Sequence, residues 1–238
     1  MRRRGFSLLE VLLATTIFFL AVLASLEFFG KAGKMFIKLK ESEEEALAVC
    51  ATLDKMKIDL IRAGQGLISA LSRGILEGIS AGDIKLSVFS KDRDLRLTAD
   101  IPSGSTMFTL GSVEGMMPGS EVCILDSRKG EVHTVSMVNG KVVYIAVPFE
   151  FNYKKKDSSL LLIEKITFFL DPKTHVLRRQ VNSSPAQPLL EDVQEFEFFY
   201  EKETNIAGIR FRLISHTEKE HALWVYPKNV GLGAFWKE

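Results

Sequence analysis

The chain opens with an apolar run that contains no proline. Almost every residue from Phe6 to Phe29 is apolar. At about 1.5 Å per residue, a helix over this run spans roughly 36 Å, which is enough to cross a hydrocarbon layer of about 30 Å. We therefore predict a transmembrane helix over residues 6–29.

Helical periodicity continues beyond the apolar run, while charged residues such as Asp54 and Asp59 occupy the other positions. Such a pattern indicates a helix with one face to bury. Gly64 and Gly66 favour its end. We predict an amphipathic helix over residues 30–66 that packs on a sheet. Its apolar positions recur at spacings of three, four and seven, at Leu39, Ala46, Val49 or Cys50, Leu53, Met56, Leu60 and Ala63.

From about Ile84 the pattern changes to short alternating segments separated by turns. Asn139-Gly140 suits a type I′ turn and predicts a hairpin. We predict a β-rich head over residues 67–238, with a β-insert at about 102–147. The fold class is α+β, with a long N-terminal helix packed on an antiparallel sheet. The predicted strands are 84–89, 95–99, 106–110, 121–125, 131–138, 141–147, 160–170, 175–181, 195–200, 206–215 and 222–226.

Charge and motifs limit the possible chemistry. Lys and Arg number 31 against 30 Asp and Glu, and this balance argues against a protein built to hold nucleic acid. Lys154–Lys156 lies beside Phe149, Phe151 and Tyr153, yet a solvated loop is the simpler interpretation. The acidic run 41–45 lacks the loop pattern of a hard-cation site.

Candidate metal ligands and thiols are few. The histidines, at 133, 175, 216 and 221, lack partners at zinc-ligand spacing, and no nucleotide or hydrolase motif is present. We expect no enzyme activity, no catalytic residues, no cofactor and no metal. Cys50 and Cys123 are expected to be buried free thiols, although a bridge between them stays open at this point.

Glu10 is the informative residue of the apolar run. An ionised carboxylate near a bilayer centre costs about 2.5–3.5 kcal/mol on insertion scales, and an intramembrane acid therefore suggests a function and a partner. Three interpretations compete: a plain anchor, a secretory signal peptide cleaved after Ala24, and a leader cut after Gly5. The third would place the new α-amine of Phe6 one turn from Glu10, where a neighbouring copy could present its own amine.

The segment Gly5-Phe6-Ser7-Leu8-Leu9-Glu10-Val11 resembles the cleavage and methylation motif of type IV prepilins. This resemblance implies that residues 1–5 are a leader and that a prepilin peptidase cuts after Gly5. It also implies that the same enzyme N-methylates Phe6 and that Glu10 guides assembly. The alternative is a secreted, soluble β-rich binding protein released by ordinary signal peptidase after Ala24.

Later segments are similar to PilW-type minor pilins and to the J-type pseudopilins of type II secretion, namely 53–64, 165–179, 187–200 and 208–214. The likeness implies a minor subunit in the priming or tip complex of a pilus or pseudopilus. Its expected partners are the prepilin peptidase and methyltransferase, other minor subunits, the major subunit, the inner-membrane assembly platform and membrane lipid. Nucleic acid is not an expected partner. The expected topology is a single inner-membrane span with a cytoplasmic N-terminus and a periplasmic head.

Overall fold

The computed structural model describes residues 7–82, 84–215 and 218–235. The chain divides into two units, with the second beginning at residue 52. Helix α1 (Leu8–Ile61) begins in the first unit and ends in the second. The remaining elements are α2 (Ile68–Ser72), β1 (Ile79–Gly82), β2 (Lys85–Leu95), β3 (Met107–Thr109), β4 (Glu121–Leu125), β5 (Gly130–Asn139), β6 (Val142–Ile145), β7 (Ser159–Asp171), β8 (Val176–Val181), β9 (Gln187–Leu190), β10 (Val193–Glu201), β11 (Ile206–Leu213), β12 (Glu220–Val225) and α3 (Lys228–Phe235). The α+β prediction is confirmed.

The end of α1 follows from its glycines. Gly64 and Gly66 have φ values of +72° and +73°, a left-handed conformation that glycine adopts without steric cost. The N–H of Gly64 donates to the carbonyl of Phe89 at 2.8 Å. The turn is thereby fastened to β2. The helix itself ends at Ile61, a few residues before the predicted end at Gly64 and Gly66.

The last turns of α1, from Thr52 onward, pack on the sheet of the second unit. Met56 and Leu60 are fully buried there. Asp59, predicted on the polar face, is also buried, with only 1% of it exposed. Its carboxylate accepts hydrogen bonds from Arg179 on β8 at 2.7 and 3.3 Å. The prediction for Asp59 was wrong because a partner 120 positions away compensates its charge.

The two cysteines differ from each other. Both are free thiols, so no bridge joins them. Cys123 is buried as predicted, whereas Cys50 is exposed. At about 100° per residue, Cys50 lies nearly opposite Thr52 on the helix. Thr52 is buried and donates its hydroxyl to the carbonyl of Leu189 at 3.0 Å, so the buried face runs along the other side.

Strand β7 lies at the centre of the larger sheet, which contains nine of the described strands. Seven of them follow the order β1-β2-β7-β4-β5-β6-β3. The other two branch from β7, since β8 pairs with β7 and β9 pairs with β8. One edge of β7 pairs with β2. Its other edge pairs with β4 as far as Ile163 and with β8 from Ile166 onward. The sheet therefore forks beside residues 164 and 165.

The predicted β-insert joins this sheet and closes into a small barrel. Leu97, just after β2, forms a bridge with Leu110, just after β3. The N–H of Thr98 donates to the carbonyl of Thr109 at 3.0 Å, which brings the first and last strands of the order β2-β7-β4-β5-β6-β3 together. The interior is filled by apolar side chains, among them Phe108, Leu110, Val122, Ile124, Val143, Phe149, Tyr153 and Leu160.

The hairpin predicted at Asn139-Gly140 is confirmed, although its turn lies one residue later. Asn139 pairs with Val142, so the loop is Gly140-Lys141. Gly140 has a φ of +60°, and glycine at the first central position is the signature of a type II′ turn. Both turn types match the twist of the strands, which explains why the hairpin survives the shift.

The remaining strands form a separate sheet in the order β10-β11-β12. Alternation along β10 places Phe198 opposite Ile209 and Phe199 opposite Gly208. The two adjacent rings therefore point to opposite faces, as the sequence predicts.

Candidate functional site

The N-terminal site is described in part. Gly5 and Phe6, the predicted cleavage and methylation residues, lie outside the described residues. Glu10 lies in the first turn of α1. Its Oε2 accepts a hydrogen bond from the N–H of Ser7 at 3.0 Å, while its own N–H donates to the carbonyl of Ser7 at 3.0 Å. The Ser7-to-Glu10 spacing is that of a capping box, so Glu10 satisfies a donor that the helix start would otherwise leave open.

The helix around Glu10 has an apolar surface on all sides. Large apolar side chains from Leu8 to Leu26 are exposed, from 37% at Val22 to 86% at Leu8. α1 is the one helix among the described residues that is long and apolar enough to cross a membrane, with a mean hydropathy of 2.3 over its best window and none of that window buried. A helix that is apolar all round is stable only in lipid or among similar helices.

Polar side chains of the helix interior bond to their own backbone. The hydroxyl of Thr16 donates to the carbonyl of Leu12 at 2.8 Å, and that of Ser25 donates to the carbonyl of Ala21 at 2.8 Å. These bonds keep both hydroxyls satisfied without water. Helix α1 continues through the Ala24-Ser25 position of the alternative signal-peptide cleavage. Glu10 is therefore the one side chain between Ser7 and Leu26 that can carry a charge.

The densest polar cluster of the head surrounds Glu131 on β5. Its Oε2 accepts from the N–H of Glu150 at 2.8 Å and from Nε2 of His133 at 2.9 Å. Its Oε1 accepts from the N–H of Phe151 at 2.9 Å and from the hydroxyl of Tyr153 at 3.0 Å. One carboxylate thus holds the loop that follows β6 against the barrel. No sequence motif indicates this cluster, because three of its four donors lie about 20 positions away.

The pKa shifts of Glu131 and Tyr153 agree with a structural role for this cluster. Burial raises the pKa of Glu131, but the hydrogen bonds from Glu150, Phe151, Tyr153 and His133 outweigh burial, so the pKa is lowered overall. The pKa of Tyr153 is raised, first by burial and then by its bond to Glu131. His133 and Tyr153 are both committed to Glu131 and buried, which leaves neither ring accessible to a substrate.

The residues considered for nucleic acid or metal binding are scattered. Phe149 and Tyr153 lie in the barrel core with 1% exposure, and only Phe151 is partly exposed beside Lys154–Lys156. Two of the three rings therefore cannot stack on bases. In the ranges that the structure covers, no three His, Cys, Asp or Glu residues are grouped as metal ligands. His216 falls outside those ranges, and His133 and His175 lie on separate strands or turns.

An aromatic group marks the outer face of the three-stranded sheet. Phe199 and Trp224 flank Gly208 across neighbouring strands, and their rings meet edge to face at 4.9 Å. Arg210 lies over both rings, 5.7 and 5.5 Å from their centroids. Trp224 is 54% exposed. Sequence reasoning placed Phe199 on one face but missed Trp224 and Arg210, whose positions depend on strand register.

Comparison with known proteins gives no family for the chain. No family model matches it, and no curated protein matches it. The Gp54 tailspike of Acinetobacter baumannii bacteriophage AP22, solved in complex with A. baumannii capsular saccharide, is similar at a TM-score of 0.29 and 20% identity, over 32% of this chain and 15% of that one. The Pseudomonas phage phi297 tailspike gp61 is similar at 0.28 and 17%, over 31% and 14%. The chain thus spans about one seventh of the tailspikes, and the low scores carry no argument about it.

Proposed function

We propose that the chain is a minor pilin or pseudopilin. It is a structural subunit that a prepilin peptidase cuts after Gly5 and N-methylates at Phe6. It then enters the priming or tip complex of a type IV pilus or a type II secretion pseudopilus. It acts by assembly and carries no catalytic activity of its own.

The observation that carries the proposal is an apolar helix surface interrupted by one acid. The exposed apolar residues from Leu8 to Leu26 require a nonaqueous environment on every side. A membrane supplies that environment before assembly, and a bundle of like helices supplies it afterwards. Glu10, in the first turn, is compatible with both environments only if its charge is compensated.

The position of Glu10 suggests its partner. In the single chain its carboxylate caps the N–H of Ser7 at 3.0 Å. After a cut at Gly5, the methylated amine of Phe6 would be a cation at the same end of the helix. A neighbouring subunit displaced along the filament axis could bring its amine to Glu10. That ion pair would fix both axial register and charge balance.

The proposed membrane topology follows from these steps of cleavage and assembly. The basic leader Arg2–Arg4 stays in the cytoplasm until it is cut, and the head lies in the periplasm. Partners are the peptidase, other minor subunits, the major subunit, the assembly platform and lipid. The head supports a structural role, because its densest polar cluster, around Glu131, is occupied with holding a loop.

Intact mass of the full chain extracted from membranes tests the proposal. The expected mass is that of residues 6–238 plus one methyl group. A bulky residue at Gly5, as in Gly5→Leu, should leave the precursor uncut. The same change at Gly30 is the matched control, because a Cβ there meets no atom within 4 Å beyond its own turn of helix. A mature chain that begins at Ser25 would overturn the proposal in favour of a secreted binding protein.

A further inference from the structure

A polar hollow of about 280 Å³ lies on the larger sheet, on the face away from α1. Arg179 reaches Asp59 of α1, so its neighbour Gln180 points to the opposite face. Gln180 lines the hollow together with Ser87 and Thr167, which lie opposite one another on β2 and β7. These three side chains form a floor that runs across three strands.

The hollow exists because the sheet forks at this point. β4 leaves β7 at Ile163 and β8 joins it at Ile166, so Lys165 lies between the two strands. Asn182, just after β8, closes the gap. Its N–H donates to the carbonyl of Lys165 at 2.7 Å, and its Oδ1 accepts from the N–H of Lys165 at 2.8 Å. Asn182 has a φ of +50°, a conformation that Asn tolerates better than most residues.

The wall of the hollow is built by close backbone contacts. Gly119 has a φ of +84°, and a Cβ at this position would collide with the hydroxyl of Ser183. The N–H of Gly119 donates to the carbonyl of Val135 at 2.7 Å. Ser184 fastens the next turn by donating its hydroxyl to the carbonyl of Val181 at 2.6 Å. The hollow is therefore formed before any ligand arrives.

The lining residues of the hollow become more exposed from its floor to its rim. Thr167 is buried, Ser87 and Gln180 are partly buried, and Gly119 and Ser183 are exposed. The hydroxyls of Ser87 and Thr167 lie 3.2 Å apart and share one hydrogen bond. Each hydroxyl can make further bonds, since a hydroxyl has one donor and two acceptor positions. A ligand that reached the floor would leave water and find hydrogen-bonding groups there.

The charges of the lining sum to one positive unit. Lys165 donates to Glu121 at 2.9 Å, and these two charges cancel. The ammonium of Lys85 lies 5.7 Å from the centroid of the Phe169 ring. Glu121 is the one carboxylate of the described lining, so Lys85 is the cation at the rim that this lining leaves without a carboxylate partner.

The amide groups offer both kinds of hydrogen bond. Gln180 donates one Nε2 hydrogen to the carbonyl of Ser184 at 2.9 Å, so it can offer a ligand its Oε1 acceptor and its second Nε2 hydrogen. Asn182 uses its Oδ1 on Lys165, so it can offer its Nδ2 donor. A sugar hydroxyl can donate and accept at once, and it suits such a mixed lining better than a purely apolar or purely anionic ligand.

We propose that this hollow binds one acidic sugar residue, with the carboxylate at Lys85 and the ring hydroxyls at Ser87, Thr167 and Gln180. Its volume is near the lower end of the roughly 300–1,000 Å³ range of small-molecule sites, which fits a single ring. This inference does not depend on the function proposed above, because it uses only residues of the head.

Ligand-observed saturation-transfer NMR with the detergent-solubilised full chain tests the proposal. The probe is D-glucuronate. D-glucose keeps the ring hydroxyls without the carboxylate, and acetate keeps the carboxylate without the ring. We expect saturable binding of glucuronate in the millimolar range, with binding up to about fivefold weaker for glucose and weaker binding for acetate as well. Binding of glucuronate should fall as salt is raised.

Variants connect the binding to the hollow. Lys85→Gln should weaken glucuronate binding up to about fivefold and should leave glucose binding unchanged. Lys141→Gln, at an exposed lysine of the barrel hairpin, is the matched control and should change neither. Equal affinity for glucuronate and acetate would overturn the sugar assignment. No saturable glucuronate binding, or equal loss in both lysine variants, would overturn the site itself.

Discussion

Replacing Glu131 by Gln should loosen the loop that follows β6. The change keeps the shape of the side chain but removes its charge and turns one acceptor oxygen into an NH2 donor. Each carboxylate oxygen accepts one backbone N–H, from Glu150 or from Phe151. Whichever oxygen is replaced, one of these N–H groups then faces another donor.

The magnitude follows from the bonds lost. A hydrogen bond to a charged group contributes about 1.5–3 kcal/mol, and a buried donor left unsatisfied costs about 1–3 kcal/mol. Glu131 accepts four such bonds with its side chain only 11% exposed. Since Gln retains part of this network, we expect a loss of about 3 kcal/mol in the free energy of unfolding.

The loss should depend on pH in a defined direction. The pKa of Glu131 is lowered in the folded chain, so its stabilisation is complete above the unfolded value of about 4.3. It is lost as pH falls through the lower, folded pKa. The difference between the wild type and Glu131→Gln should therefore be largest at neutral pH and should shrink in acid.

Hydrogen exchange read by mass spectrometry on the full chain is the direct assay, together with urea unfolding at pH 7 and at acid pH. Amides of the peptide that contains Phe151 should exchange about a hundredfold faster in Glu131→Gln at pH 7. Glu150→Gln is the matched control, because it changes the same charge in the same loop but keeps the backbone bonds. Unchanged exchange in Glu131→Gln, or equal change in the control, would refute the reasoning.

Three further predictions follow from other parts of the chain. Glu10→Ala should still be processed but should co-purify poorly with other minor subunits, and normal co-purification and filament number would contradict the proposed ion pair. Asp59→Asn should lower the free energy of unfolding by about 3 kcal/mol, because it leaves the partly buried Arg179 unpaired, whereas Asp54→Asn should change it by less than about 0.5 kcal/mol in the same urea titration. A thiol reagent should label Cys50 rapidly and Cys123 only after unfolding, since burial raises the pKa of Cys123 to about 12; rapid labelling of both by mass spectrometry would contradict this.

Local patterns in the sequence predict the local elements well. The apolar run and the glycines after Ala63 place α1, and the short apolar run that follows Glu121 gives the bounds of β4 without error. These features are set by residues that lie close together in the sequence, so a short stretch of sequence is enough to predict them. Two predicted strands are exceptions. The strand predicted at 84–89 continues to Leu95 through the charged residues 91–94, where a register shift between Lys91 and Arg93 accommodates them. The strand predicted at 95–99 was wrong, because beyond Leu95 only Leu97 pairs, in an isolated bridge.

Features that depend on distant pairing could not be predicted. β9 includes Pro188, which the composition assigns to a loop. It is tolerated because β9 is an edge strand that pairs with β8 alone among the described strands. β1 (Ile79–Gly82) shows no alternation and was missed. The closure of the barrel rests on a bridge between Leu97 and Leu110, which no local pattern indicates.

The candidate sites also differ in whether a local sequence pattern can reveal them. Glu10 was found from sequence because a charge inside an apolar run is visible in any window. The Glu131 cluster joins two segments, β5 and the loop after β6, and the hollow around Thr167 is assembled from four. Their residue types are ordinary for solvated strands, so only the register of the strands reveals them.

The central position of β7 sets the order in which the head can fold. Its partner residues on β2 precede it by as many as 84 positions, as the pairing of Lys85 with Phe169 shows. Contacts that far apart close slowly, because the loop entropy is lost before the pairing is gained. We expect β2 to remain an open edge until β7 has been synthesised. During that interval the growing chain is most exposed to wrong strand pairing, and a chaperone acting on the nascent head would have its largest effect there.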